Sequence, residues 1–284
     1  MTVIRRPARR CCGVLLATGL LLAGCSGTGG GGTADSADSA KPAGSEGAAA
    51  SSGTRSSPAP TPTPTPAATG LGFTPDPDRV PKTRAEGLRL ARAVAAAPVN
   101  WGPGFVKRDP YESDPGFRPA LDANCVWQRE QLPETVLATL TRYSELPAED
   151  GKGPIRVAAV VTVHRTVTDA GWEMAGMLEE ALRCPDQQLR QGERITELSS
   201  QGTDYGLRNN FTSEDTLAEY GKYFSDELGG PLYYHWVQSR VGQVTVAGVG
   251  RGAEGRTDAE VDAALTQGVT RMLSLAEDGL EAPE

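Results

Sequence analysis

Histidine is almost missing from this chain: two residues in 284, His164 and His235. There is no HExxH and no Cys-His cluster, so the usual metal constellations are excluded. No Gly-x-Ser-x-Gly nucleophile elbow occurs either. Acidic side chains are plentiful, but no spacing marks two of them as a glycosidase pair. No catalytic residue, metal ligand or cofactor is therefore assigned. No apolar run reaches the roughly 20 residues that a membrane-spanning helix needs. Positive charge is in deficit, with 28 Lys and Arg against 36 Asp and Glu and a net charge of −8. Such a surface repels nucleic acid and anionic lipid headgroups alike, and no nucleic-acid partner is expected. Cysteine is scarce, five in all, at positions 11, 12, 25, 125 and 184.

What is present begins with an export signal. Arg5, Arg6, Arg9 and Arg10 form a positive n-region, and Cys11 to Leu22 form a short apolar core. The run ends in Leu22-Ala23-Gly24-Cys25, which resembles the lipobox of bacterial lipoproteins. Small residues before the cysteine fit a narrow peptidase site, and the Cys25 thiol is the group that would receive diacylglycerol and further acyl chains such as palmitate. The expectation is a signal peptide over 1–24, a lipidated tether over 25–80 and a folded domain over 81–280. The tether is Gly, Ala, Ser, Thr and Pro, including "SSPAPTPTPTPAATG". It has almost nothing to bury and should stay extended and unstructured, with a reach of roughly 40 Å. Loss of the signal's four arginines would take the net charge from −8 to −12. Membrane attachment would then rest on acyl chains, two or more being needed for stable anchoring. The location implied is the extracytoplasmic face of the cell membrane; whether export runs by the Sec or the twin-arginine route is left open.

Once Cys11 and Cys12 leave with the signal and Cys25 is acylated, Cys125 and Cys184 remain. An even pair in an exported domain is most simply a disulfide; two buried thiols or half a metal site are the alternatives.

Along the domain, "TRAEGLRLARAVAAA" reads as a first helix stopped by Pro98. Strands are predicted in "GPGFVKRDP", "NCVWQRE" and "TVLATLTRYSEL", and most clearly over residues 155 to 165, whose apolar residues on both parities mark a central strand covered on both faces. "TDAGWEMAGMLEEALRC" predicts a helix with the apolar stripe Ala170, Met174, Met177, Leu178 and Ala181, so a disulfide would clamp its end to the strand starting at Cys125. "TSEDTLAEYGKYFSDEL" predicts another helix, capped by Thr212 and Asp215 and closed by Gly229-Gly230. A hairpin, "LYYHWVQSR" with "QVTVAGVG", and a final helix opened by Thr257 and Glu260 complete the pattern. The fold class expected is α+β, sandwich-like: one domain, an antiparallel-rich central sheet flanked by helices, and one disulfide.

Gly250-x-Gly252-x-x-Gly255 mimics a dinucleotide fingerprint, but it follows the second arm of a hairpin rather than a parallel strand, and the next helix carries its own side-chain cap. It is a glycine-rich edge and turn. Six of the sixteen aromatics crowd between Tyr220 and Trp236. By alternation Tyr234 and Trp236 share a face with Ala247 and Val249, while Tyr233 and His235 share the other with Gly248 and Gly250, where missing side chains would leave a groove. Tyr233, Tyr234, His235 and Trp236 are therefore the candidate ligand-cleft residues, with plain core packing as the alternative.

The Cys125–Cys184 spacing, the helix closing in "ALRC" and "YYHWVQSRVGQVTV" resemble the extracytoplasmic sensor domain of PknH-type bacterial serine/threonine kinases, over roughly Arg84 to Asp278. The resemblance implies a single α/β domain with an antiparallel-rich sheet and a wide cleft for an unidentified ligand. That family has two disulfides where one can form here, and neither a kinase domain nor a membrane-spanning helix accompanies this one. The function expected is a lipid-anchored, extracytoplasmic ligand-binding or sensor-like domain without catalysis, facing a small envelope ligand or an envelope protein. A cell-envelope hydrolase and a protein-binding scaffold are the alternatives.

Overall fold

The computed structural model describes residues 75–202, 213 and 215–281, all within the unit Pro64–Glu284. Cys25, the signal and most of the tether lie outside the described residues. In chain order the elements are α1 (Arg84–Val94), a 3-10 turn (Pro98–Trp101), β1 (Val106–Glu112), β2 (Phe117–Leu121), β3 (Trp127–Gln131), β4 (Val136–Leu146), β5 (Ile155–His164), α2 (Val167–Arg183), β6 (Gln187–Arg190), β7 (Glu193–Gly202), β8 (Asp215–Ser225), β9 (Gly229–Val241), β10 (Val244–Arg251) and α3 (Asp258–Leu280). Eight strands form one antiparallel sheet in the order β1-β4-β5-β10-β9-β8-β7-β6, and β2 pairs only with β3.

This corrects the α+β, sandwich-like fold class. Strands hold 44% of the residues against 28% for helices, and the large sheet curls into a half-barrel carrying three helices. Much of the difference lies in one segment. Residues 215–225, expected as a helix, are β8, paired with β7 and β9. Leu217, Tyr220 and Phe224 mimic a helical stripe, but the segment is rich in aromatics that suit a pleated surface and has Gly221 at its middle, where a helix is weakened. At Gly221 the neighbouring strand comes so close that a Cβ would lie 2.9 Å from Ile195 Cγ2. Gly229 and Gly230, read as a helix stop, instead open β9.

The curl shows in the ion pairs. Arg251 of β10 reaches Glu193 of β7 at 3.3 Å, and Arg156 of β5 reaches Glu227 in the β8–β9 turn. β10 and β7 are three strand spacings apart, roughly 14 Å on a flat sheet, so such a pair closes over a concave surface. Arg108 on β1 is held below the usual arginine pKa by burial and then by repulsion from Arg156, Arg190 and Arg251, the second of which stands on β6.

Alternation assigns the faces. Val157, Ala159, Val161 and Val163 of β5 and Val244 and Val246 of β10 point to one side, where α1 and α3 close a dry core. Gly248 and Gly250 continue that row, and α3 fills the space beside them: a Cβ on Gly250 would lie 2.4 Å from Val261 Cγ1. Trp101, 1% exposed, lies against Gly268 of α3, where a Cβ would come within 2.2 Å of its ring. Thr257 caps α3 reciprocally with Glu260, as the sequence predicts. The opposite face takes α2, capped by Thr166 at its start and by Cys184 at its end. Cys184 is bonded to Cys125 in the β2–β3 turn, 59 residues away, so the disulfide ties α2 to the small hairpin rather than to the large sheet. Backbone bonding from Gln188 N–H to the Cys125 carbonyl, at 2.9 Å, secures the same corner.

Candidate functional site

Between α2, the concave side of the large sheet and the β2–β3 hairpin lies a cleft of about 350 Å³. Its helical wall is Asp169, Trp172, Glu173, Gly176, Met177 and Glu180. These recur at three- and four-residue steps, which puts them on one stripe of α2. Its floor is built by alternation: Val160, Thr162 and His164 from β5, Thr245 and Ala247 from β10, Trp236 and Gln238 from β9. The hairpin supplies Arg118 and Trp127.

A polar knot sits in this floor. Glu173 Oε1 accepts hydrogen bonds from Gln238 Nε2 and Thr245 Oγ1, both at 2.7 Å. Its other oxygen lies 3.0 Å from His164 Nε2, although the ring N–H is not aimed along that line. Burial works to raise the Glu173 pKa, but the contact with His164 and the bonds from Thr245 and Gln238 outweigh it and hold the carboxyl below the usual range. Glu173 is thus a fixed negative charge with three partners rather than a ready proton carrier. His164 is 3% exposed, and its Nδ1 has no hydrogen-bond partner.

A second acidic pair flanks the knot. Glu219 of β8 stands opposite Trp236 on β9, is 3% exposed, and its Oε1 is buried without a partner. Burial, and then the charge of Glu180, push its pKa up to about 8. Glu180 is itself raised, first by burial. Two tryptophans of the cleft have their ring N–H groups committed to protein acceptors: Trp127 donates to Gln187 Oε1 at 2.8 Å and Trp236 to Gln238 Oε1 at 3.2 Å. Trp172 stands 73% exposed on α2.

Of the four residues singled out from the sequence, Trp236 alone lines this cleft. Tyr234, 5% exposed, packs in the apolar cluster beneath α2 with Val249 and Tyr223. Tyr233 and His235 face the other way. The Tyr233 hydroxyl donates to Asp262 Oδ1 at 2.9 Å, His235 Nδ1 lies 2.7 Å from the same oxygen, and Tyr220 stacks on the imidazole at 4.4 Å. The groove expected beside Gly248 and Gly250 is occupied by Val261, Leu265 and Val269 of α3. Trp127, Trp172, Glu173 and Glu180 were not anticipated. The stripe Asp169–Glu173–Glu180 was visible beside the apolar one on the same helix, but nothing in the sequence said that it faces a cavity.

Among the described residues no group of three or more His, Cys, Asp or Glu side chains is placed to hold a metal ion, and no helix is long and apolar enough to cross a membrane. No protein-family model matches the chain, and no curated protein sequence matches it.

Proposed function

We propose that the protein is a lipid-anchored, extracytoplasmic binding or sensor-like domain whose cleft beneath α2 takes a small envelope ligand. One observation carries the reading: three of the chain's four tryptophans, Trp127, Trp172 and Trp236, line a cleft of about 350 Å³ over a fixed polar floor. A cavity of that size with aromatic walls and a few placed polar groups is what small-ligand sites look like. The fourth, Trp101, is core. Residues 1–25 support the anchor by their lipobox and export pattern.

The test uses the mature chain carrying Cys25→Ser, which keeps the domain and removes the acyl acceptor. That variant should leave the membrane fraction; unchanged membrane retention refutes the anchor. The soluble protein is then incubated with envelope extract, reisolated, and its small-molecule cargo identified by mass spectrometry. Retention of a discrete compound that Trp236→Ala abolishes supports the reading. Retention of nothing, or of a compound insensitive to Trp236→Ala, overturns it.

A hydrolase is the second reading, on one observation: Glu180, raised by burial, shares the cleft with Glu173, held as a carboxylate by its partners, so that Glu180 would be the acid and Glu173 a fixed stabilising charge. The two are seven residues apart on one helix, roughly 10.5 Å along its axis. Turnover of envelope glycans that Glu180→Gln eliminates would establish it.

A further inference from the structure

The polar groups around the cleft are unequal in kind. The donors of Gln238 and Thr245 are spent on Glu173, and the ring N–H groups of Trp127 and Trp236 are spent on glutamine oxygens. What these tryptophans have left to offer a ligand is their π surface. The acids, by contrast, line up along α2: Asp169, Glu173 and Glu180, of which Glu173 is already held by its three partners in the floor while Asp169 and Glu180 lie outside that knot. Two basic side chains share the cleft, and both sit beside acids. His164 lies against Glu173, and Arg118 is 3.7 Å from Glu130 on the same hairpin. The cleft therefore presents aromatic faces and carboxylates, the combination that attracts an organic cation by ring quadrupole and opposite charge together. A neutral sugar could stack on the same indoles, but its hydroxyls would meet few open donors.

We infer that the ligand carries a positively charged nitrogen, an alkylammonium, lodged between the cleft tryptophans and the α2 carboxylates. The inference rests on the binding-domain reading above and names the ligand class of that site. On the hairpin side the cleft is lined by the Arg118 guanidinium. It gives an oxygen of the same ligand, a hydroxyl or carbonyl, a place to bind. The cleft has room for such a body as well as the ammonium head.

Charge is isolated from shape by pairs of isosteres. Choline and its neutral carbon analogue, 3,3-dimethylbutan-1-ol, have nearly the same outline and differ in the charge at the head. Octyltrimethylammonium and its neutral carbon analogue do the same with a longer tail. Each is titrated into the mature Cys25→Ser chain by calorimetry and tryptophan fluorescence. At least one ammonium should bind about tenfold or more tightly than its neutral partner. Glu180→Gln, which removes a half-buried charge and leaves the polar knot intact, should cut that preference to about threefold or less while the neutral compound binds as before. Asp169→Asn, which also leaves the knot intact, is the second variant and should cut the preference in the same direction. Equal or tighter binding of the neutral partners overturns the inference, and so does failure of both ammonium compounds to bind. The two levels fail separately. A neutral compound recovered from envelope extract keeps the cleft and sinks the cation, whereas an empty cleft in that experiment sinks the reading beneath both.

Discussion

The two faces of the half-barrel are made by the same strands and could hardly differ more. On β5, Val157, Ala159, Val161 and Val163 face α1 and α3, while Arg156, Thr162 and His164 face the concave side. On β10, Val244, Val246, Gly248 and Gly250 face α3, and Thr245, Ala247 and Arg251 face the concave side. One parity builds a dry seam in which glycines let a helix approach; the other leaves polar groups that α2 covers incompletely. A sheet with a two-residue period can therefore assign stability to one face and chemistry to the other. Substitutions at matched positions should break the domain or empty the cleft, and seldom both.

The largest effect is expected on the dry face. Trp101 is seated against Gly268 and close to Gly248, with 1% of its surface exposed. Trp101→Ala should destabilise the domain by about 3–5 kcal/mol, because the surrounding strands and helix can close the cavity only in part. Urea unfolding followed by circular dichroism should show a lowered midpoint with an unchanged slope. A loss under about 1 kcal/mol would mean that this seam is not the stability core.

Next comes the clamp on the other face. Replacing Cys125 and Cys184 together by serine removes a crosslink spanning 59 residues. The chain-entropy model sets the loss at about 4 kcal/mol, and strain or residual structure in the unfolded state brings measured values below it. The comparison is sharpened by where the loss appears. Hydrogen exchange should accelerate in α2 and the β2–β3 hairpin more than in α3, because the bond joins only the former two. Uniform acceleration across all three helices would show instead that both faces open as one unit.

The two faces were not equally legible in the sequence. The final helix with its Thr257–Glu260 cap, the central strand β5, the β9–β10 hairpin and its parity were readable, because each has a strong period or a specific cap. The Cys125–Cys184 disulfide was readable from cysteine number together with the export pattern expected of residues 1–24. What failed was the outer half of the sheet. The β6–β7 hairpin turns at Gly192, with φ 78, outside any predicted element, and β8 stands where the pattern predicts a helix. A strand whose inner face holds Leu217, Glu219, Gly221 and Tyr223 has no clean alternation of apolar and polar, so local pattern could not outvote tertiary pairing. Misplacing β8 hid the concave face. Alternation divides the four aromatic-cluster residues between two faces correctly, but without a floor for the cleft the groove is expected on the side of Tyr233, His235 and the glycines. The structure fills that side with α3 and opens the cleft on the side of Trp236.

Glu219 tests whether the concave face stores an electrostatic cost. Its pKa rises from 4.5 in the unfolded chain to about 8 when folded, so the folded state holds the extra proton between those values. Stability from this group is complete below about pH 4.5 and is lost as pH climbs toward about 8. Glu219→Gln keeps the shape and removes the titration. It should flatten the fall in melting temperature over that interval and leave the variant more stable than wild type by about 2 kcal/mol near pH 8.5. Near pH 4.5 the two should melt alike. A variant less stable at both ends of the range would show that the carboxyl is held by a partner rather than desolvated.

The smallest effect on stability belongs to a tryptophan on the rim of the cleft. Trp172 lies 73% exposed on α2, so little of its surface leaves water on folding, and Trp172→Ala should shift stability by no more than about 0.5 kcal/mol. That is a small fraction of the Trp101→Ala loss, for the same side chain removed. Binding should invert the order. Trp172 forms the open wall of the cleft, and its truncation should weaken capture of the envelope ligand while melting stays put. The paired measurement, thermal melts beside ligand retention for Trp172→Ala and Trp101→Ala, reads both axes at once. If Trp172→Ala melts normally and still retains the ligand, this wall is bystander surface and the site must lie deeper, against Trp236 and the Glu173 knot. If it lowers melting by as much as Trp101→Ala, the separation of a packing face from a binding face is wrong.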